Sequence, residues 1–315
     1  MTTKLKLGCL LILGLSLLAP LATQAKEGAD QYGYGSETFF SGVLPPPGTY
    51  YINYFNYYHG DLRNGSGDKV SIAGTTPSVD AEVEVLRFVH VTPLKIFGAN
   101  YTIHTLIPLV QQSVDLGGSN SRFGIGDIVI DPLILGWHHK NLHLVEAFDI
   151  CLPTGHYDKN DARVSLGAHY WSFEPVLDLT YMSPHKFEVS SKLIFTLRTT
   201  NSSTNYKSGN EFHTDFVVGK NIKNWALGPA GYFAEQLNND SINGQEVAAI
   251  PGVYSAGREM QLVGLGPAVR YFSPKSHILL EAKYYQEFAV RNHFGGERFQ
   301  FKLVVPMSSL LPKKG

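Results

Sequence analysis

From residue 49 onward the chain alternates apolar and polar side chains with a period of two, the pattern of a β-strand with two different faces. Between Lys186 and Arg198, one side carries Phe187, Val189, Leu193, Phe195 and Leu197, and the other Lys186, Glu188, Ser190, Lys192, Thr196 and Arg198. Trp171, Phe173, Pro175, Leu177, Leu179 and Tyr181 oppose Ser172, Glu174, Val176, Asp178 and Thr180 in the same way. Near the C-terminus, Ile278, Leu280, Ala282, Tyr284 and Phe288 oppose His277, Glu281, Lys283, Tyr285 and Glu287. Phe299, Phe301, Leu303 and Val305 oppose Arg298, Gln300 and Lys302. One apolar face and one charged face suit a strand with lipid outside and water inside. A soluble sandwich alternates too, so the pattern by itself leaves both open.

The connections separate them. Twelve strands are predicted, near residues 49–58, 79–91, 96–110, 125–138, 142–152, 168–181, 186–198, 211–221, 225–236, 259–272, 277–290 and 297–306. The links take turns: long at 59–78, 111–124, 153–167, 199–210 and 237–258, short at 92–95, 139–141, 182–185, 222–224 and 273–276, with 291–296 last. Short links at one rim and long ones at the other, with an even strand count, describe an all-β, antiparallel, up-and-down transmembrane β-barrel. The short links contain turn residues (Lys140-Asn141, Ser183-Pro184, Ser273-Pro274). The long ones are rich in Gly, Ser, Asn and Asp, as in "DLGGSNS" and "NNDSINGQE". Trp137, Tyr181, Trp225, Tyr271 and Phe272 at one rim, with Trp171 and Phe233 toward the other, supply aromatic girdles.

The N-terminus fits export. Lys4 and Lys6, the apolar run from Leu7 to Leu21 and Thr23-Gln24-Ala25 read as a signal peptide over residues 1–25, the apolar run being short for a spanning helix. Cys9 lies near the start of that run, with most of the apolar residues after it, where a lipobox cysteine would have them before it. Beyond residue 25 the chain keeps 24 basic and 27 acidic residues and the single cysteine Cys151, so there is no internal disulfide and no charge excess pointing to nucleic acid. No later stretch is apolar enough for a membrane helix, so a membrane-bound form must span with strands. Residues 26–48, ending in Pro45-Pro46-Pro47-Gly48, form a periplasmic or plug segment; 49–306 form the barrel and 307–315 a tail. Proline cannot donate to a ladder, so the prolines mark where the first strand starts. In "TYYINYFNYY", which parity of that strand faces lipid stays open.

Catalytic motifs are missing: there is no Gly-x-Ser-x-Gly, no His-Glu-x-x-His and no phosphate-binding loop, and Gly124-Ile125-Gly126 has Val129 where a dinucleotide fingerprint needs its third glycine. Among 12 histidines, a two-residue turn at Lys140-Asn141 would set His138 opposite His143, two ligands at a solvated rim and a poor metal site. No cofactor or metal is expected. The candidate lumen-lining residues are Asp127, Asp131, Glu174, Asp178, Glu188, Lys192, Glu281, Lys283, Arg298 and Lys302, which either pair across the wall or shape a permeation path. Asp127 and Asp131 are expected to share one face of one strand. Twelve strands fall between barrels that side chains fill and wide aqueous pores, so the lumen is expected to be narrow.

Across nearly the whole chain, "FFSGVLPPPGTYYINYFNYY", "GIGDIVIDPLILGW", "LPTGHYD", "YWSFEPVLDLTY", "YKSGNEFHTDFVVGK", "GPAGYFAEQLNNDS", "LGPAVRYF" and "YQEFAVRNHFGGERFQFKL" occur in order. Together they resemble the outer-membrane family named for the meta-pathway of phenol degradation. The resemblance implies a Gram-negative outer-membrane barrel that admits small hydrophobic or aromatic compounds without catalysing their degradation. Outer-membrane lipid, a small hydrophobic solute and the barrel-assembly machinery are the partners expected. The chain departs from the usual barrel ending by running past Pro306 to Lys313-Lys314-Gly315. The competing classes are an outer-membrane lipid-modifying enzyme, which would set a Ser and a His together near the outer rim, and a structural surface barrel. His169 and Ser172 differ in parity and are poor candidates for that enzyme.

Overall fold

The computed structural model describes residues 30–307; residues 1–29, with the expected signal peptide over 1–25, and residues 308–315 lie outside the described residues. Twelve strands close into one antiparallel barrel. They are β1 (Gly48–Arg63), β2 (Ser78–Ile96), β3 (Ala99–Asp115), β4 in two halves (Ser119–Ile125 and Ile128–His139), β5 (Leu142–Leu152), β6 (Ser172–Met182), β7 (Phe187–Arg198), β8 (Glu211–Ile222), β9 (Trp225–Gln236), β10 (Gln261–Phe272), β11 (Leu279–Arg291) and β12 (His293–Pro306). Each strand pairs with its neighbours in sequence, and β1 with β12 closes the ring (Phe55 opposite Phe301, Tyr58 opposite Arg298), while the first half of β4 pairs with β3 alone.

Two expected links are much shorter than the sequence suggested. The link over 111–124 is a continuation of β3 and β4 around a tight turn at 116–118, where Asp115 Oδ1 accepts the amides of Gly117 and Gly118 at 2.9 Å each. The final link over 291–296 reduces to Asn292, at φ 49°. The long connections that remain are 64–77, 153–171, 199–210 and 237–260. At the opposite rim, Phe97 and Gly98 both take positive φ (50° and 80°), the mirror-image turn that suits the twist of a two-residue hairpin.

β4 does not run straight. It is interrupted at Gly126-Asp127, so Asp127 and Asp131 do not share one continuous strand face as expected. Pro132, which cannot donate, sits in a second irregularity between Ile130 and Leu135. Asp131 anchors that irregularity by accepting the amides of Leu133 (2.6 Å) and Phe148 (2.8 Å).

The outward face carries Val189, Phe195, Leu197, Val218, Leu227, Leu265, Phe288 and Phe299, all exposed, as a lipid-facing wall requires. β1 resolves its parity: Tyr54, Asn56 and Tyr58 are buried inward while Phe55 and Tyr57 face out. β2 reverses the expected chemistry. Val79, Ala81, Val83 and Val85 point inward, whereas Asp80, Glu82 and Glu84 point outward beyond Phe88. A carboxylate in hydrocarbon is costly, so the apolar band ends near Leu86 and the long strands β1 to β4 rise above it as a wall in water. Outside, Glu84 accepts from Asn53 (2.9 Å) and Asp80 contacts His59 (2.8 Å).

Candidate functional site

Residues 30–47 run inside the barrel from the long-connection rim to the start of β1. Glycine at two points lets the backbone lie against the wall. Gly35, at φ 77°, has no room for a Cβ beside the rings of Tyr232 and Tyr285, and a Cβ on Gly42 would meet the backbone of Leu179 and Thr180. Inward-facing side chains then meet the segment's polar groups one by one. Asp215 accepts from Tyr32 Oη (3.1 Å) and from the amides of Gly35 (2.8 Å) and Glu37 (3.1 Å). Tyr34 donates to Glu211 (2.6 Å), the Phe40 amide to Glu188 (2.7 Å) and the Gly42 amide to the Thr180 hydroxyl (3.0 Å). Thr38 donates to Glu281, Lys283 to the Ser36 carbonyl (2.7 Å), and the Arg270 guanidinium lies over the Phe40 ring at 3.6 Å.

Glu37 is the centre of this arrangement. Its carboxylate receives Arg87 Nη1 of β2 at 2.6 Å, Lys302 Nζ of β12 and the Tyr54 hydroxyl of β1. Arg87 also donates to His104 Nδ1 (2.9 Å), which leaves Nε2 to donate to Asp149 (2.8 Å) and so sets the imidazole's tautomer.

Two cavities flank this cluster. The one toward the long connections, of about 210 Å³, is walled by Val79, Ala81, Val83, Val85, Leu106 and Val110; the other, of about 530 Å³, by Phe39, Leu44, Ile52, Val89, Ile134 and Val145, among others. They share Glu37, Arg87, His104, Asp149 and Lys192, so two apolar chambers meet at a polar waist. An apolar cavity of ~150 Å³ already holds a benzene-sized molecule, so each chamber takes a single aromatic ring.

The ten residues expected to line the lumen divide by role. Asp127, Glu174 and Arg298 border the first chamber, Asp178 and Lys302 the second, and Lys192 both. Asp127 also ties loops to the wall by accepting from Gln31 (2.7 Å), Gly155 (2.9 Å) and Ala168 (2.9 Å). Glu188, Glu281 and Lys283 hold the N-terminal segment, and Asp131 holds the break in β4. The sequence reading missed Glu37, Arg87, His104 and Asp149. Only Arg87 left a signal, as the one cation sharing parity with the valines of "VEVLRF".

His138 and His143 do meet, Nδ1 to Nδ1 at 3.0 Å, as the turn predicted, but as two ligands on an exposed rim. His104, Asp131 and Asp149 form a buried triad with metal-ligating atoms, yet Arg87, the backbone and one another occupy those atoms, which does not fit a bound cation. Outside the membrane, Asp240 in the connection 237–260 accepts from the Gly209 amide (2.7 Å), Gln236 (2.8 Å) and Tyr206; burial outweighs these donors and pushes its carboxyl up to about 6.

The family model described as "Putative MetA-pathway of phenol degradation" matches residues 60–303. The chain belongs to this family. Among solved structures, an outer-membrane channel of Pseudomonas putida F1 is similar at TM-score 0.69 and 17% identity, covering 88% of this chain and 99% of that one. The translocator domain of the autotransporter NalP from Neisseria meningitidis is similar at TM-score 0.47 and 10% identity, covering 83% and 89%. The toluene transporter TodX of Pseudomonas putida is similar at 0.43 and 8%, covering 90% and 98%. No curated protein sequence matches. The fold of this family member is that of an outer-membrane β-barrel, located in the outer membrane.

Proposed function

We propose that this protein is a passive channel that admits small single-ring aromatic solutes across the outer membrane. The observation that carries the reading is the inward apolar face of β2 and β3, which lines a path beside the N-terminal segment in a lumen otherwise full of charge. Water-filled pores have no use for Val79, Ala81, Val83 and Val85 on the lumen side. The segment over residues 30–47 is the plug of that path, and its contacts with Glu188, Asp215 and Glu281 are the seat. Membership of a phenol-degradation family and the fold shared with an outer-membrane channel support the same reading. The test is uptake of a labelled single-ring aromatic at low concentration by cells lacking the gene, complemented with wild type or with Val83→Trp, which fills the first chamber. Wild type restores uptake and Val83→Trp does not; equal uptake with and without the gene overturns the proposal.

One contact favours an enzyme: Ser203 Oγ lies 2.9 Å from His169 Nε2 among the long connections, and the His169 ring stacks on Tyr157 at 4.8 Å. A serine nucleophile also needs a group orienting the imidazole from its other nitrogen. Among the described residues no side chain hydrogen-bonds His169 Nδ1, and the pair is exposed. Phospholipid hydrolysis by the purified protein that disappears in Ser203→Ala would revive this reading.

A further inference from the structure

The waist between the chambers contains one cation that stands apart from the rest. Arg87 and Lys302 both converge on Glu37, Asp149 is taken by His104, and Lys283 is held by Glu281 (3.0 Å) and the Ser36 carbonyl. Lys192, on the inward face of β7, has neither an ion pair nor a hydrogen bond among the described residues. Its Nζ lies 5.2 Å from the centroid of the Tyr32 ring. The residue is only 6% exposed, yet it borders both chambers. Its neighbour in register across the β6–β7 pair is Asp178, whose Oδ1 also lacks a partner. The two have not paired, although strand pairing sets them side by side. Glu37, Asp149 and Asp178 balance its charge from a distance, but none of them hydrogen-bonds to it, so its donors are open to an oxygen that a solute brings.

We propose that Lys192 is the specificity-determining residue of the channel and that it selects single-ring aromatics carrying one anionic oxygen group, an aryl carboxylate first of all. This rests on the channel reading above. The ring of such a solute lies against Val83, Val85 and Leu106 in the first chamber while its carboxylate accepts from Lys192 Nζ at the waist. The apolar chamber accepts the ring, and Lys192 offers the donors that a bare hydrocarbon cannot use. Arg87 and Lys302 cannot replace it, because both are already engaged by the two carboxylate oxygens of Glu37.

The experiment measures flux of three size-matched probes, benzoate, phenol and toluene, into proteoliposomes with a lipopolysaccharide outer leaflet, which slows direct crossing of the bilayer, carrying wild type, Lys192→Met, Lys192→Arg or Asp178→Asn, with heat-modifiable gel migration confirming that each barrel is folded. Wild type is expected to favour benzoate, then phenol, then toluene. Lys192→Met is expected to lose about tenfold of benzoate flux, the scale of one charge-assisted hydrogen bond, with toluene flux unchanged. Lys192→Arg is expected to keep the order, and Asp178→Asn to raise benzoate flux by removing the competing acid. If Lys192 serves only to neutralise Asp178, Lys192→Met and Asp178→Asn alter all three probes alike, and the proposal fails. If wild type carries the three probes equally and Lys192→Met changes none, the proposal fails while the channel reading stands. If wild type carries none of them above empty liposomes, the channel reading itself fails and takes the proposal with it.

Discussion

Replacing Glu37 by Gln keeps the side chain's shape and removes the charge that joins the N-terminal segment to three strands. Arg87 and Lys302 then face each other across a neutral amide, with side chains only 17% and 8% exposed. Removing one partner of a buried ion pair costs ~3–5 kcal/mol, and water in the adjoining chambers reduces this to about 3 kcal/mol. The cost falls on the seated state, because a displaced segment leaves both cations free to hydrate. At ~1.4 kcal/mol per decade, the population with the segment displaced rises by about two decades. The other anchors at Asp215, Glu211, Glu188 and Thr180 remain, so the segment is loosened without being expelled. The readout is maleimide labelling of Ser36→Cys in membranes, alone and combined with Glu37→Gln, Cys151 being buried in the wall. Labelling should quicken about a hundredfold and single-channel conductance should rise, while heat-modifiable migration stays that of a folded barrel. Unchanged labelling and conductance in an intact barrel would refute the idea that Glu37 clamps the segment.

Gly35→Val should loosen the same segment, since it puts a branched side chain at positive φ against Tyr232 and Tyr285; increased Ser36→Cys labelling checks it. Leu193→Arg, on the outward face at the middle of β7, should destabilise the barrel by ~2–4 kcal/mol in urea unfolding from lipid vesicles, whereas Glu82→Lys on β2 should cost ~0–1 kcal/mol because that position stands outside the hydrocarbon. Equal costs would misplace the band. Asp240 has a folded-state pKa of about 6, above the ~3.9 of an unfolded chain, so the folded loop binds the proton more tightly. Packing of the connections 199–210 and 237–260 is therefore fully stabilised below pH ~4 and weakens as pH rises through ~6. Protease protection of these loops across that range should follow this course in wild type and lose most of its pH dependence in Asp240→Asn.

How much the sequence revealed varies from strand to strand. β6, β7, β11 and β12 alternate cleanly, because their whole length crosses the membrane and each parity meets one solvent; their inward charges could be named from the sequence. β2 could not be read that way. Its "VDAEVEVLRFV" alternates just as regularly, but the apolar parity faces the lumen and the acidic one faces water outside, an assignment set by height above the bilayer and by which neighbours stand opposite. The turn at 116–118 was hidden for a related reason: Gly117 and Gly118 mark a turn equally well in a long loop and in a tight hairpin, and only pairing of Ser113 with Ser121 tells them apart.

The sequence by itself determined the barrel, its twelve strands, the abrupt start of β1 after the prolines and the presence of many charges on one face, since all of these are local consequences of period-two patterning and proline chemistry. Tertiary structure decided what the charges are for. Glu37, Arg87 and Lys302 lie on three separate segments, and their meeting depends on barrel closure between β1 and β12 and on a segment threaded through the lumen. Whether a buried lysine has found its acid is likewise a matter of where closure leaves it. That is why Lys192 and Lys283, alike in the sequence, part company in the fold: one is held by its neighbours and the other faces the passage.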